Sequence, residues 1–114
     1  MEIDLLFLAV KKSDWREISK SELIYSPQFS DDGKHRTFTG KHSEDILNQT
    51  YSGEPLLLIV LDPLRIQAPI KHVKTDGKEY VEILGDVTKD ALIDKILIKS
   101  SKEGKYSLNV KHFD

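Results

Sequence analysis

Two stretches of the chain are apolar at almost every position. From Ile3 to Val10 the run IDLLFLAV carries no polar residue after Asp4, and Leu56 to Leu61 reads LLLIVL before stopping at Asp62-Pro63. Runs this short with no polar face fit strands buried on both sides better than helices, and a proline ends ladder pairing. The two are therefore expected to be central neighbours in a sheet.

Elsewhere the pattern alternates or takes helical spacing. Ser13 is placed to cap a short helix over Asp14 to Lys20, with Trp15 and Ile18 on one face. Ser26 to Lys34 holds Pro27, Ser30, Asp31, Asp32 and Gly33, a loop composition with little to bury, and is expected to be the most mobile internal stretch. A short strand over His35 to Thr39 follows, and then Ser43 as the cap of a helix from Glu44 to Tyr51. Asp76-Gly77 between extended segments predicts a two-residue hairpin pairing Lys74 with Glu79, Val73 with Tyr80, His72 with Val81, Lys71 with Glu82 and Ile70 with Ile83. Thr88 predicts the cap of a third short helix, stapled by Val87 and Leu92. Ile96 and Ile98, a turn near Gly104, and Tyr106, Leu108 and Val110 predict a closing hairpin. Without a regular βαβα order, the expected class is α+β with a mainly antiparallel sheet and two or three short helices.

Composition narrows the function classes. The 114 residues fit one compact domain, and 39% apolar against 32% charged residues is a globular balance. Lacking cysteine, the chain has no disulfide framework, thiol nucleophile or thiolate metal site. The acidic start Met1-Glu2-Ile3-Asp4 is unlike a signal peptide, and no stretch reaches the length of a membrane span, so a soluble cytoplasmic protein is expected. The net charge of −2, with acids and bases interspersed, gives no basic stripe for nucleic acid.

Candidate chemistry is sparse. His35, His42, His72 and His112 lack metal-site spacing and read as scattered surface residues. No phosphate loop, nucleophile elbow or dinucleotide glycine cluster occurs. Glu79 and Glu82 lie three apart on a strand and so point to opposite faces, while Glu82 faces Lys71 across the hairpin as a surface ion pair. Arg36 and Phe38 alternate on one face of a short strand, with His35, Thr37 and Thr39 on the other; arginine beside an aromatic either holds a phosphate and a base or forms a solvated edge.

Taken together, Ser13-Asp14-Trp15 after the first strand, Asn48 and Tyr51 in a helix, LLLIVLDP, the Asp-Gly turn and a strand closing on Gly85 resemble a bacterial family, domain of unknown function 952, of the ADP-ribosyltransferase-like superfamily. The resemblance runs from about Leu5 to Ile96. It implies an ADP-ribosyltransferase-like fold, with NAD clamped between two sheets and often a late-strand glutamate on the ribose. The family's three histidine motifs, counted without gaps, fall on Leu8, on Arg36 with Phe38, and on Glu82 with Leu84, so every motif histidine is replaced; a one-residue slip would restore His35. Leu8 and Phe38 would then wall the pocket with apolar groups. The expected function is a non-enzymatic or repurposed domain binding a small molecule or a protein, without a cofactor, with Arg36, Phe38 and Tyr80 as ligand-binding residues. The alternative is an NAD-dependent ADP-ribosyl or phosphoribosyl transferase using Arg36 and Tyr80, with Glu82 as the catalytic residue.

Overall fold

The computed structural model describes residues 5–106. Its elements in chain order are β1 (Leu6–Lys11), α1 (Lys12–Ile18), β2 (Leu23–Ile24), β3 (Ser30–Asp31), β4 (Lys34–Thr37), α2 (Ser43–Thr50), β5 (Leu56–Leu61), β6 (Ile70–Thr75), β7 (Lys78–Ile83), β8 (Val87–Thr88) and β9 (Leu92–Ile98). The fold is α+β, and all strand pairs are antiparallel: a three-stranded sheet β1-β5-β9, a four-stranded sheet β3-β4-β7-β6 and the small pair β2-β8.

The two apolar runs are neighbours, Leu6 opposite Leu61 through Lys11 opposite Leu56, but only β5 is central: β1 lies at the edge of the three-stranded sheet, which corrects the expectation that both are central. Both faces of β1 and β5 are largely covered, which accounts for their unbroken apolar runs, whereas β9 leaves Ile93 and Leu97 exposed. Leu6, Leu8, Val10, Ile59 and Leu61 face a core completed by Ile18 of α1 and by Val81 and Ile83 of the four-stranded sheet. Ala9, Leu56 and Leu58 face a second core with Ile46 and Leu47 of α2, Phe38, Tyr51 and Tyr106. The sheets meet at one backbone bridge, where Phe7 and Phe38 exchange N–H···O bonds of 2.7 and 3.0 Å.

The Asp76-Gly77 hairpin has the expected register at all five pairs, with φ of +52° and +77° at the turn residues. Gly85, which closes β7, has a steric reason to be glycine: an added Cβ would lie 2.9 Å from Cβ of Ala68.

Four further expectations are corrected. Both long helices start one residue or more early. In α1 the first amide, Lys12, donates to the carbonyl of Pro55 rather than to a cap, and in α2 Ser43 is the first helical residue, its hydroxyl donating to the carbonyl of Gly40. The third helix is only a 3-10 turn, Lys89–Ala91, because Leu92 pairs with Leu61 and draws the chain into β9. The segment from Ser26 to Lys34 is not empty of packing: Ser26 is fully buried with its hydroxyl on the carbonyl of Ala9, Phe29 packs against both cores, and Asp32-Gly33 turns β3 into β4. Lastly, His35 is a buried residue, not a surface one, 7% exposed and with Nδ1 2.7 Å from the Ser30 hydroxyl. The turn near Gly104 is present, while Leu108 and Val110 lie outside the described residues.

Burial lowers the pKa of His35 from its ordinary value, against a smaller opposing pull from Asp86. A folded-state pKa below the unfolded one means that the unfolded chain binds the proton first, so stability declines as pH falls below about 6.5, until the folded pKa is passed. Urea midpoints at about pH 7.5 and pH 5.5 should therefore differ more in the parent than in His35→Gln; an equal difference in both would remove His35 as the source.

Candidate functional site

Antiparallel pairing puts Arg36 of β4 directly opposite Glu82 of β7, and Glu82 opposite Lys71 of β6. Directly opposed residues share a face, so one row runs cation, anion, cation across three strands on the side turned away from Val81 and Ile83. Tyr80, two residues before Glu82, stands on the same face. The Arg36 guanidinium carbon lies 4.9 Å from the centroid of the Tyr80 ring, and its Nη2 donates to Glu82 Oε2 at 3.2 Å.

The ion pair of Glu82 is thus made with Arg36 rather than with Lys71, although Lys71 has the expected register. Arginine's planar fork, already positioned by stacking on Tyr80, loses less freedom in pairing than a lysine ammonium would. The Arg36 side chain is 39% exposed and that of Glu82 19%, so solvent screening keeps the pair's worth within about 0.2 to 1 kcal/mol.

Above this row is an open cleft of about 580 Å³. Its walls are Gln28, Phe29, Asp31 and Asp32 from the β3–β4 hairpin region, Lys34 and Arg36 of β4, and Thr50 at the end of α2, with Tyr80 and Glu82 from β7. The hairpin is fixed in place by the hydroxyl of the buried Tyr51, which donates to Gln28 Oε1 at 3.1 Å; burial raises the pKa of this phenol, so it remains a donor.

Three of the four residues expected at the site, Arg36, Tyr80 and Glu82, are therefore brought together. Phe38 is not: it is fully buried, packed 6.3 Å from Phe7 and 6.0 Å from Phe29 between ring centroids. The strand leaves the four-stranded sheet after Thr37, so the alternation that would have carried Phe38 to the face of Arg36 no longer holds. Leu8 is likewise sealed in the core and forms no wall of the cleft. Lys34, Gln28 and Thr50 were missed. Lys34 has the parity of Arg36 and was open to the same argument, whereas Gln28 and Thr50 arrive through tertiary packing alone.

Among the described residues no group of three or more histidine, aspartate or glutamate side chains is gathered as for a metal ion, and no helix is long and apolar enough to cross a membrane. Asn48, one of the landmarks of the resemblance, is a structural staple: its Nδ2 donates to the carbonyl of Tyr106 at 3.0 Å and its Oδ1 accepts from the Tyr106 amide at 2.7 Å.

Fold and cleft together define a small α+β domain of antiparallel sheets with a polar cleft on the outer face of one of them. Over 90% of its length the chain is similar to the crystal structure of protein CC0527 from Caulobacter crescentus, a structural-genomics target, with a TM-score of 0.78 and 11% identity over 93% of that chain. A double-mutant form of CC0527 matches equally. At this identity the likeness is one of fold. No protein-family model matches the chain, and no curated protein does.

Proposed function

We propose that this chain is a divergent member of domain-of-unknown-function family 952, with an ADP-ribosyltransferase-like architecture, that acts in the bacterial cytoplasm as a non-enzymatic ligand-binding domain. Its ligand is a small molecule with an anionic group, held in the cleft over Arg36, Tyr80 and Glu82. The observation that carries this reading is the posture of Arg36: stacked on Tyr80, tied by one nitrogen to Glu82, and still 39% exposed at an open cleft. A guanidinium has five N–H groups in a fixed fork, so donors remain for a carboxylate or phosphate, and Lys34 adds a second cation that offsets Asp31 and Asp32 on the same walls. Leu8, Ile59 and Ile83, all fully buried, fill the core between the two sheets, the layer in which the resemblance would imply an NAD cleft. Packed apolar groups offer no preorganised donors to an oxocarbenium-like transition state.

Thermal shift with a panel of carboxylates and phosphate esters, NAD among them, tests the reading. A binding member at about 100 times its Kd should add roughly 2.7 kcal/mol in the parent and nothing in Arg36→Ala. Stabilisation that survives Arg36→Ala would place the ligand elsewhere. A second reading, the NAD-dependent transferase, is favoured by the position of Glu82 in the same cleft. The leading reading expects no nicotinamide release from NAD and a change below about 1 kcal/mol for Glu82→Gln. Nicotinamide release by the parent, abolished in Glu82→Gln with the fold intact, would establish the transferase instead.

A further inference from the structure

We propose that the open edge of β6 binds an acidic, extended peptide segment, which adds to the four-stranded sheet as a further strand. This site borders the Arg36 cleft, since Tyr80 lines both cavities and Lys71 ends the row begun by Arg36 and Glu82, but it does not depend on a ligand in that cleft. In the sheet order β3-β4-β7-β6, β6 pairs with β7 on one side only among the described residues.

The register determines which backbone groups face outward. A two-residue Asp76-Gly77 turn makes Thr75 and Lys78 a hydrogen-bonded pair, so Val73 and Lys71 also bond inward to β7, while Ile70, His72 and Lys74 direct their N–H and C=O groups to the open edge. The amide of Leu84, which donates to the carbonyl of Pro69 at 2.8 Å, continues the same alternation.

Those three residues also line a cavity of about 590 Å³ beside the edge, together with Leu6, Pro63 and Val81 and with the polar groups of Thr39, Glu79 and Tyr80. Outward main-chain groups next to a partly apolar recess are the two parts of strand addition: the backbone supplies affinity and the recess takes alternate side chains. Ile70 is 42% exposed at its mouth. Charge selects the occupant. β6 carries Lys71, His72 and Lys74 and no acid, so a second copy laid edge to edge would oppose like charges, whereas glutamates on an incoming strand would meet Lys71 on the outer face. Lysines at an edge also discourage chance pairing, which leaves an acidic strand as the one admitted.

The test is fluorescence anisotropy of the full chain with a labelled eight-residue peptide of alternating valine and glutamate. Binding is expected with Kd below about 1 mM, weakened at least about tenfold by Lys71→Glu with Lys74→Glu, and abolished by N-methylating only the alternate peptide amides that face the edge. His72→Pro removes an outward donor without breaking a bond to β7, so it should abolish binding while keeping the melting temperature. Should that variant fail to fold, the lysine pair and the methylated peptides decide alone. No binding, equal loss from methylating either set of amides, or a parent dimer dissolved by His72→Pro would each overturn the proposal.

Discussion

Replacing Phe38 with alanine is expected to destabilise the protein by about 3 to 5 kcal/mol, a large share of the roughly 5 to 15 kcal/mol that holds a domain of this size together. The ring is fully buried in contact with Phe7 and Phe29, at the backbone bridge between the two sheets. Truncation would remove its apolar surface and leave a cavity where the surrounding backbone, held by paired N–H···O bonds, has little room to collapse. Urea denaturation gives the measurement, and a loss under about 1 kcal/mol would mean that Phe38 is not the keystone of the junction. It would also reopen Phe38 as a ligand contact, the role its sequence position implied.

Asn48→Ala should cost about 1 to 3 kcal/mol, the sum of two net hydrogen bonds of ordinary strength. Asn48 engages both the amide and the carbonyl of Tyr106, as a neighbouring strand would, and so ties the segment after β9 to α2. The hydroxyl of Tyr106 reaches the carbonyl of Glu54 at 2.5 Å, so the phenol should remain anchored while the backbone beside it loosens. Amide exchange that quickens at Tyr106 but not along β5 would match this local role. An unchanged urea midpoint would argue that water replaces both bonds at no loss.

The parts of the fold visible in the sequence were those set by neighbours in the chain. LLLIVL declares a doubly buried strand because no polar face is left to consider, and Asp76-Gly77 declares its hairpin because it is among the few dipeptides that take two positive φ values at little cost. Asp32-Gly33 makes the same turn, with φ of +49° and +77°, yet its sequence reads as loop: its flanking strands are two and four residues long and polar, so no hydrophobic alternation marks them. The site followed the same division. Glu82 was matched with Lys71, six positions from the hairpin turn's centre at most, while its actual partner Arg36 lies 46 residues away and needed the β4–β7 pairing to be known. Thr88 to Leu92 carried a sound local signal for a helix, and the pairing of Leu92 with Leu61 overrode it.

A strand sealed on both faces also shapes the life of the chain before it folds. LFLAV in β1 and LLLIVL in β5 are uncharged, free of glycine and proline, and rich in β-forming residues, which in an unfolded chain is the signature of a segment prone to stack with copies of itself. Each is closed off where it ends. Lys11 and Lys12 follow the first, and Asp62 and Pro63 follow the second, setting charge and a missing amide donor at the places where an intermolecular ladder would otherwise extend. The same two dipeptides at the strand ends thus act as gatekeepers on the nascent chain, and exchanging them for neutral residues would be felt first as aggregation during synthesis, before any change in the folded protein.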